Sequence, residues 1–230
     1  MKHRTVRGYI RYATSEGGES GREWFTITVH GNGHRTFRTM IEYDQLGMLR
    51  DVTHTCDERF RPLDAFVRQT KHDRFMGAMW FRFSEHLAEA EGYTAGEGRL
   101  SQRWPTTVWT PILCSHSLIA DFWHAAAFDL DGPKRQEVRG RLSTSEHPLG
   151  DSGPRLCIGL EPNTIAETAI MEYGGEHRIT VAAGTFDCIR VDVVRRQGPP
   201  VEFYTTRGDY LPILCKADFV GSRYELVELR

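Results

Sequence analysis

"REWFTITVHGNGHRTFRTMIEY", residues 22–43, decides how the chain reads. Phe25, Ile27 and Val29 alternate with Trp24, Thr26, Thr28 and His30, the period of a strand with one buried face. "GNG" at 31–33 follows, and Asn-Gly is the strongest short-range hairpin signal because both residues tolerate positive φ. Phe37, Thr39, Ile41 and Tyr43 then resume the alternation, so the stretch predicts a β-hairpin. Outward from it the same pattern recurs in "LRDVTHTCD" (49–57), "DAFVRQTKHD" (64–73), "GAMWFRFSE" (77–85), "LAEAEGYT" (87–94) and "EGRLSQRW" (97–104). It returns in "RQEVRGRLS" (135–143) and "EHRITVAAGTFDCIRVDVVRR" (176–196) and runs on to the C-terminus. Gly, Asp and Pro punctuate the runs. No repeat period marks a propeller or solenoid, and no low-complexity linker divides the chain. The expected fold is mainly β: one antiparallel sheet over residues 1–230, strongly curved into a barrel or half-barrel.

Bulk composition limits the function. The 230 residues carry 40% hydrophobic and 26% charged side chains, ordinary for a globular protein. A formal net charge of −2 without a basic patch argues against nucleic acid as a partner. No run approaches the ~18 apolar residues of a membrane helix, and no apolar run follows the charged start as in a secretory signal. Five widely spaced cysteines without a CxxC pair suit reduced thiols, so a cytoplasmic location is expected. Edge strands of an open sheet offer a route to a homodimer.

"LCSHSLIADFWHAAAFDLDG", residues 113–132, breaks the β pattern. Leu118, Phe122 and Ala125 or Ala126 fall on one helical face, Ser115 or Ser117 can cap its start, and Asp131-Gly132 ends it. A helix over about 117–129, packed against the sheet, is expected. Asp121 and His124 are three residues apart and hence neighbours on a helix, where a carboxylate can orient an imidazole as a general base. His116 lies eight residues before His124 on roughly the same side, and Trp123 is adjacent.

The tail "ITVAAGTFDCIRVDVV" (179–194), "EFYTTRGDYLPILCKADF" (202–219) and "SRYELVEL" (222–229) resembles the end of an uncharacterised β-sheet family related to the LolA/LolB-type lipoprotein carriers. Its marks are the "AGTFD" turn, where Gly184 permits a tight backbone and Asp187 can bond its own turn, and Leu211-Pro212 near the last hairpin. The resemblance implies a concave sheet that shelters a hydrophobic molecule. Members of that group are typically exported, whereas this chain shows no export signal.

Strand parity supplies a second constellation. Trp80 and Arg82 share one face of "MWFRF", opposite Met79, Phe81 and Phe83, and an arginine beside a tryptophan can grip a planar anion. Arg68 has a comparable place on its own strand, while Tyr43, Tyr173 and Tyr204 are candidate hydroxyl donors. His30, His34, His54 and Cys56 offer an arrangement for zinc, without the tight ligand pair such sites usually include. There is no GxSxG, Gly-rich phosphate loop, HExxH or EF-hand spacing, so no metal or organic cofactor is expected. Two functions follow. One is a cofactor-independent lyase, isomerase or hydratase using His124, Asp121 and His116 on a small hydrophobic or aromatic molecule held by Trp123, Trp80, Arg82, Arg68, Tyr43 and Tyr204. The other is a non-catalytic carrier or sensor of a hydrophobic ligand. A converging set of ionisable groups inside the sheet favours the first, and an apolar cup the second.

Overall fold

The computed structural model describes residues 2–105, 113–115, 117–142, 167–194, 198–218 and 221–230. Its strands are β1 (Arg4–Thr14), β2 (Glu19–Val29), β3 (Arg35–Tyr43), β4 (Met48–Cys56), β5 (Pro62–Lys71), β6 (Arg74–Phe83), β7 (Leu87–Thr94), β8 (Gly98–Pro105), β9 (Leu113–Cys114), β10 (Arg135–Leu142), β11 (Glu167–Val181), β12 (Gly184–Val194), β13 (Val201–Thr205), β14 (Pro212–Ala217) and β15 (Ser222–Leu229). One helix, α1 (Leu118–Trp123), runs on as a 3₁₀ turn through Ala127.

All strands join one sheet in the order β8-β7-β6-β5-β4-β3-β2-β1-β15-β14-β13-β12-β11-β10-β9. Neighbours pair antiparallel except two-residue β9, which lies parallel to β10. The meander therefore seals through its first and last strands, with Arg11 opposite Glu225 and Tyr12 opposite Tyr224. Among the described residues the sheet order ends at β8 and β9.

The hairpin expected around "GNG" joins β2 to β3, with Ile27 opposite Phe37 and Phe25 opposite Thr39. Another turn was not expected from its residues: His72 and Asp73 link β5 to β6 with φ of 48° and 61°, the left-handed region usually given to Asn-Gly. Curvature can be inferred from α1. Trp123 packs edge-on to Phe37 of β3 at 5.1 Å, and Phe122 meets Phe203 of β13 at 5.2 Å. Those strands are five positions apart in the sheet order, roughly 24 Å in a flat sheet at about 4.8 Å per strand. One short helix reaches both because the sheet curls round it.

The helix is shorter than the sequence implied. Ser117 caps it, accepting from the Ile119 N–H at 3.1 Å, and the chain is extended again by Phe128. The core continues past α1, where Ala125 and Phe128 pack with Val138, Met171, Ile189 and Val191. A smaller apolar layer lies on the outward parity of the last strands. There β11, bulged between Tyr173 and Gly175, packs against β14 and β15, and Ala183 N–H donates to the Leu226 carbonyl. This layer buries Cys188, Tyr204 and Leu214.

Candidate functional site

Inward parity brings two polar groups into the apolar interior. The first gathers at the start of α1. Glu23 is in phase with Phe25 and Ile27 and fully buried. Its carboxylate accepts from Ser117 Oγ (2.5 Å), Tyr12 Oη (2.7 Å) and the Leu118 N–H (3.0 Å). Burial raises its pKa, and these bonds oppose the rise. Tyr12 packs on Tyr43 and Tyr224, and burial beside Glu23 pushes its hydroxyl pKa well up. Arg50, in phase with Val52, donates to Gln69 Oε1 from Nε and Nη2 at 3.2 and 2.9 Å. Burial raises the pKa values of Tyr43, Tyr224 and Cys215, and the charge of Asp121, in the same neighbourhood, adds to the rise.

The second group lies under the far end of α1. His54 faces inward from β4, with Nδ1 3.2 Å from Ser115 Oγ and Nε2 3.4 Å from Cys56 Sγ. Burial drives the Cys56 thiol pKa well up, so the thiol keeps its hydrogen and donates to Nε2, leaving Nδ1–H to donate to Ser115. His124 acts on His54 electrostatically. A hydrogen bond to the Leu113 backbone engages one His124 nitrogen, while Nε2 is buried without a partner. Burial lowers His54 to about 3 and His124 to about 4, keeping both rings neutral. Trp123 lies 6.2 Å from the His54 ring and 5.4 Å from Phe60, and its Nε1 is also buried and unpaired. The Arg35 guanidinium covers Phe60 at 4.2 Å, and its Nε is a third such nitrogen. A buried polar atom left unpaired costs about 1–3 kcal/mol, and native proteins seldom keep several together.

These placements revise the sequence reading. Trp80, Arg82 and Arg68 point outward: Trp80 is 41% exposed, Arg82 lies over its ring and pairs with Glu89, and Arg68 faces Asp51. The inward face of β6 is the apolar one, with Met79, Phe81 and Phe83 buried. Tyr204 also has outward parity, donating to Glu202 at 2.7 Å beneath His177. Asp187 pairs across the hairpin with Arg178 rather than with its own turn. Asp121 and His124 divide between the two groups: burial and Leu113 set the state of His124, and Asp121 acts on the tyrosines. Tyr43 joins the first group and Trp123 the second; Tyr173 stacks on Phe128 at 6.4 Å. His116 lies outside the described residues.

Sequence reasoning missed Glu23 and Arg35, and weighed His54 only as a metal ligand. Parity was the available signal, since each is in phase with inward apolar residues of its strand. His30 bonds Thr36 at 3.0 Å and His34 faces Glu58. Among the described residues no three His, Cys, Asp or Glu side chains gather as a metal site, and no helix is long and apolar enough to cross a membrane.

No protein-family model matches the chain, and no curated protein matches it. Among solved structures it is similar to the beta-barrel-like protein of domain of unknown function DUF1849 from Brucella abortus, at 9% identity and a TM-score of 0.49, over 99% of this chain and 96% of that one. It is also similar to a "putative lipoprotein" from Parabacteroides distasonis, at 10% identity and a TM-score of 0.31, over 98% of this chain and 94% of that one.

Proposed function

We propose that the protein is a non-catalytic carrier or sensor of a small hydrophobic molecule, taken up on the concave side of the sheet beneath α1. The observation that carries this reading is the apolar cluster in which Trp123 of α1 packs on Phe37 and Phe60, beside polar atoms that stand buried and unpaired. A ligand that brings its own polar end supplies the missing partners. The sheet is sealed on its concave side by a helix of six residues, an element small enough to shift without unravelling the strands. The likeness of residues 179–229 to the lipoprotein carriers points the same way.

The test compares the native and denatured masses of the purified protein, before and after extraction with organic solvent. An extractable apolar molecule bound at one per chain supports the carrier. A protein that purifies empty and fails to take up any apolar probe removes it.

A second reading, a cofactor-independent lyase, isomerase or hydratase acting on a molecule of the same kind, draws on the chain from Cys56 through His54 to Ser115 and on the free Nε2 of His124. The neutral His124 imidazole has an unengaged nitrogen that can accept a proton, and His54 can relay one between Cys56 and Ser115. Turnover lost in His124→Ala and in His54→Phe, with both variants folded, would favour it over the carrier.

A further inference from the structure

We infer that the ligand of this interior is an apolar carboxylic acid, its carboxyl group lodged among Arg35, Trp123 and His124; the inference rests on the carrier reading and names the chemistry it accepts. Three buried, unpaired nitrogens belong to side chains that border one set of rings. Arg35 and Trp123 both pack on Phe60, at 4.2 and 5.4 Å, and Trp123 and His124 both reach His54. Arg35 also acts electrostatically on Cys56, which bonds His54.

The donor set defines the head group. Arginine Nε and tryptophan Nε1 only donate, so both require an acceptor. The other Arg35 contacts are the carbonyls of Gly33 and Glu58, at 3.0 and 3.2 Å. Among the described residues no carboxylate forms an ion pair with Arg35; Asp57, which shares its neighbourhood at Cys56, is engaged by Arg61 at 2.6 Å. Nε2 of His124 is an acceptor, because the ring nitrogen facing the Leu113 carbonyl must carry the hydrogen. Two donors, one of them on a cation, and one acceptor complement a carboxyl group. Its oxygens accept from Arg35 and Trp123, and its hydrogen goes to His124. An acid beside imidazole and a carboxylate beside imidazolium hold the same atoms and total charge, so no further reactant is needed. An alcohol leaves one donor unmet and lacks the charge that strengthens a bond to arginine. The apolar body of the ligand lies against Phe37, Phe60 and Tyr210, whose ring meets Phe60 at 5.0 Å.

The test titrates solvent-extracted full-length protein with dodecanoic acid and with dodecan-1-ol by calorimetry. The expected result is a preference for the acid of about tenfold or more, the usual scale of a charge-assisted bond. Arg35→Gln and Trp123→Phe should each bring that preference to within about threefold, by weakening the acid more than the alcohol. Equal binding of acid and alcohol overturns the carboxyl assignment and leaves the carrier standing. Binding of neither probe overturns both. Loss of both probes in a folded Arg35→Gln protein, checked by circular dichroism, makes Arg35 a packing residue and also overturns the assignment.

Discussion

Glu23 shows how much one inward acid can organise. It satisfies a hydroxyl on β1, the hydroxyl that caps α1 and the first helical N–H. Glu23→Ala leaves those three buried donors without an acceptor, and an expected loss of about 3 kcal/mol or more would appear as a lower melting temperature. Glu23→Gln keeps one acceptor oxygen and should cost roughly half as much. His54 and His124 set the acid limit. Both hold proton affinities in the fold far below the ordinary imidazole value, so unfolded chains take up protons first as the pH falls. Their contribution is fully present above about pH 6.5 and is lost progressively from there toward pH 4. At about 1.4 kcal/mol per unit for each ring, moving from pH 7 to pH 5 should remove about 4 kcal/mol. Glu23 works in the opposite sense, since its raised pKa favours the fold at lower pH. Denaturant titrations at the two pH values check the sum, and His124→Leu should halve it.

At the scale of elements, the strands were legible because period-two alternation and turn residues are local. Ile27 against Phe37 and Phe25 against Thr39 follow from the Asn-Gly turn alone. The turn at His72-Asp73 departs from the usual residues: both take positive φ without a glycine. Asp73→Gly should relieve that strain and raise stability by about 0.5–1 kcal/mol, measurable by chemical denaturation. Ser117 serves twice, as cap and as donor to Glu23, and Ser117→Ala should lower stability by about 1–2 kcal/mol. The site was less legible. Trp80 and Arg82 drew notice because an arginine stacks beside a tryptophan, yet parity alone does not say which face of β6 is inside. That choice depends on what the other strands enclose. Glu23, Arg35 and His54 shared the phase of their apolar neighbours, but Ser117 and Ser115, the partners of Glu23 and His54, come from a segment whose docking is non-local.

For the whole molecule, the decisive contact is the first strand on the last. Arg11 and Glu225 pair across it though 214 residues apart along the chain. Removing residues 222–230 would strip β1 and β14 of a shared neighbour and expose two long edges, so the truncated chain should aggregate on expression rather than fold. Joining the ends by a short Gly-Ser linker and opening the chain between Glu85 and His86, both exposed, should preserve the fold with a melting temperature within a few degrees of the parent.

The same pairing has a mechanical side. Arg7 and Arg230 exchange backbone hydrogen bonds in both directions, at 2.8 Å each, so the finish of β15 lies beside the early part of β1. A pull on the two ends would load those bonds along their length and part them in turn, like the teeth of a zip, instead of shearing a whole row at once. Tethered by its termini, the molecule should yield at low force, and the sheet would part between β1 and β15 into its two runs of strands.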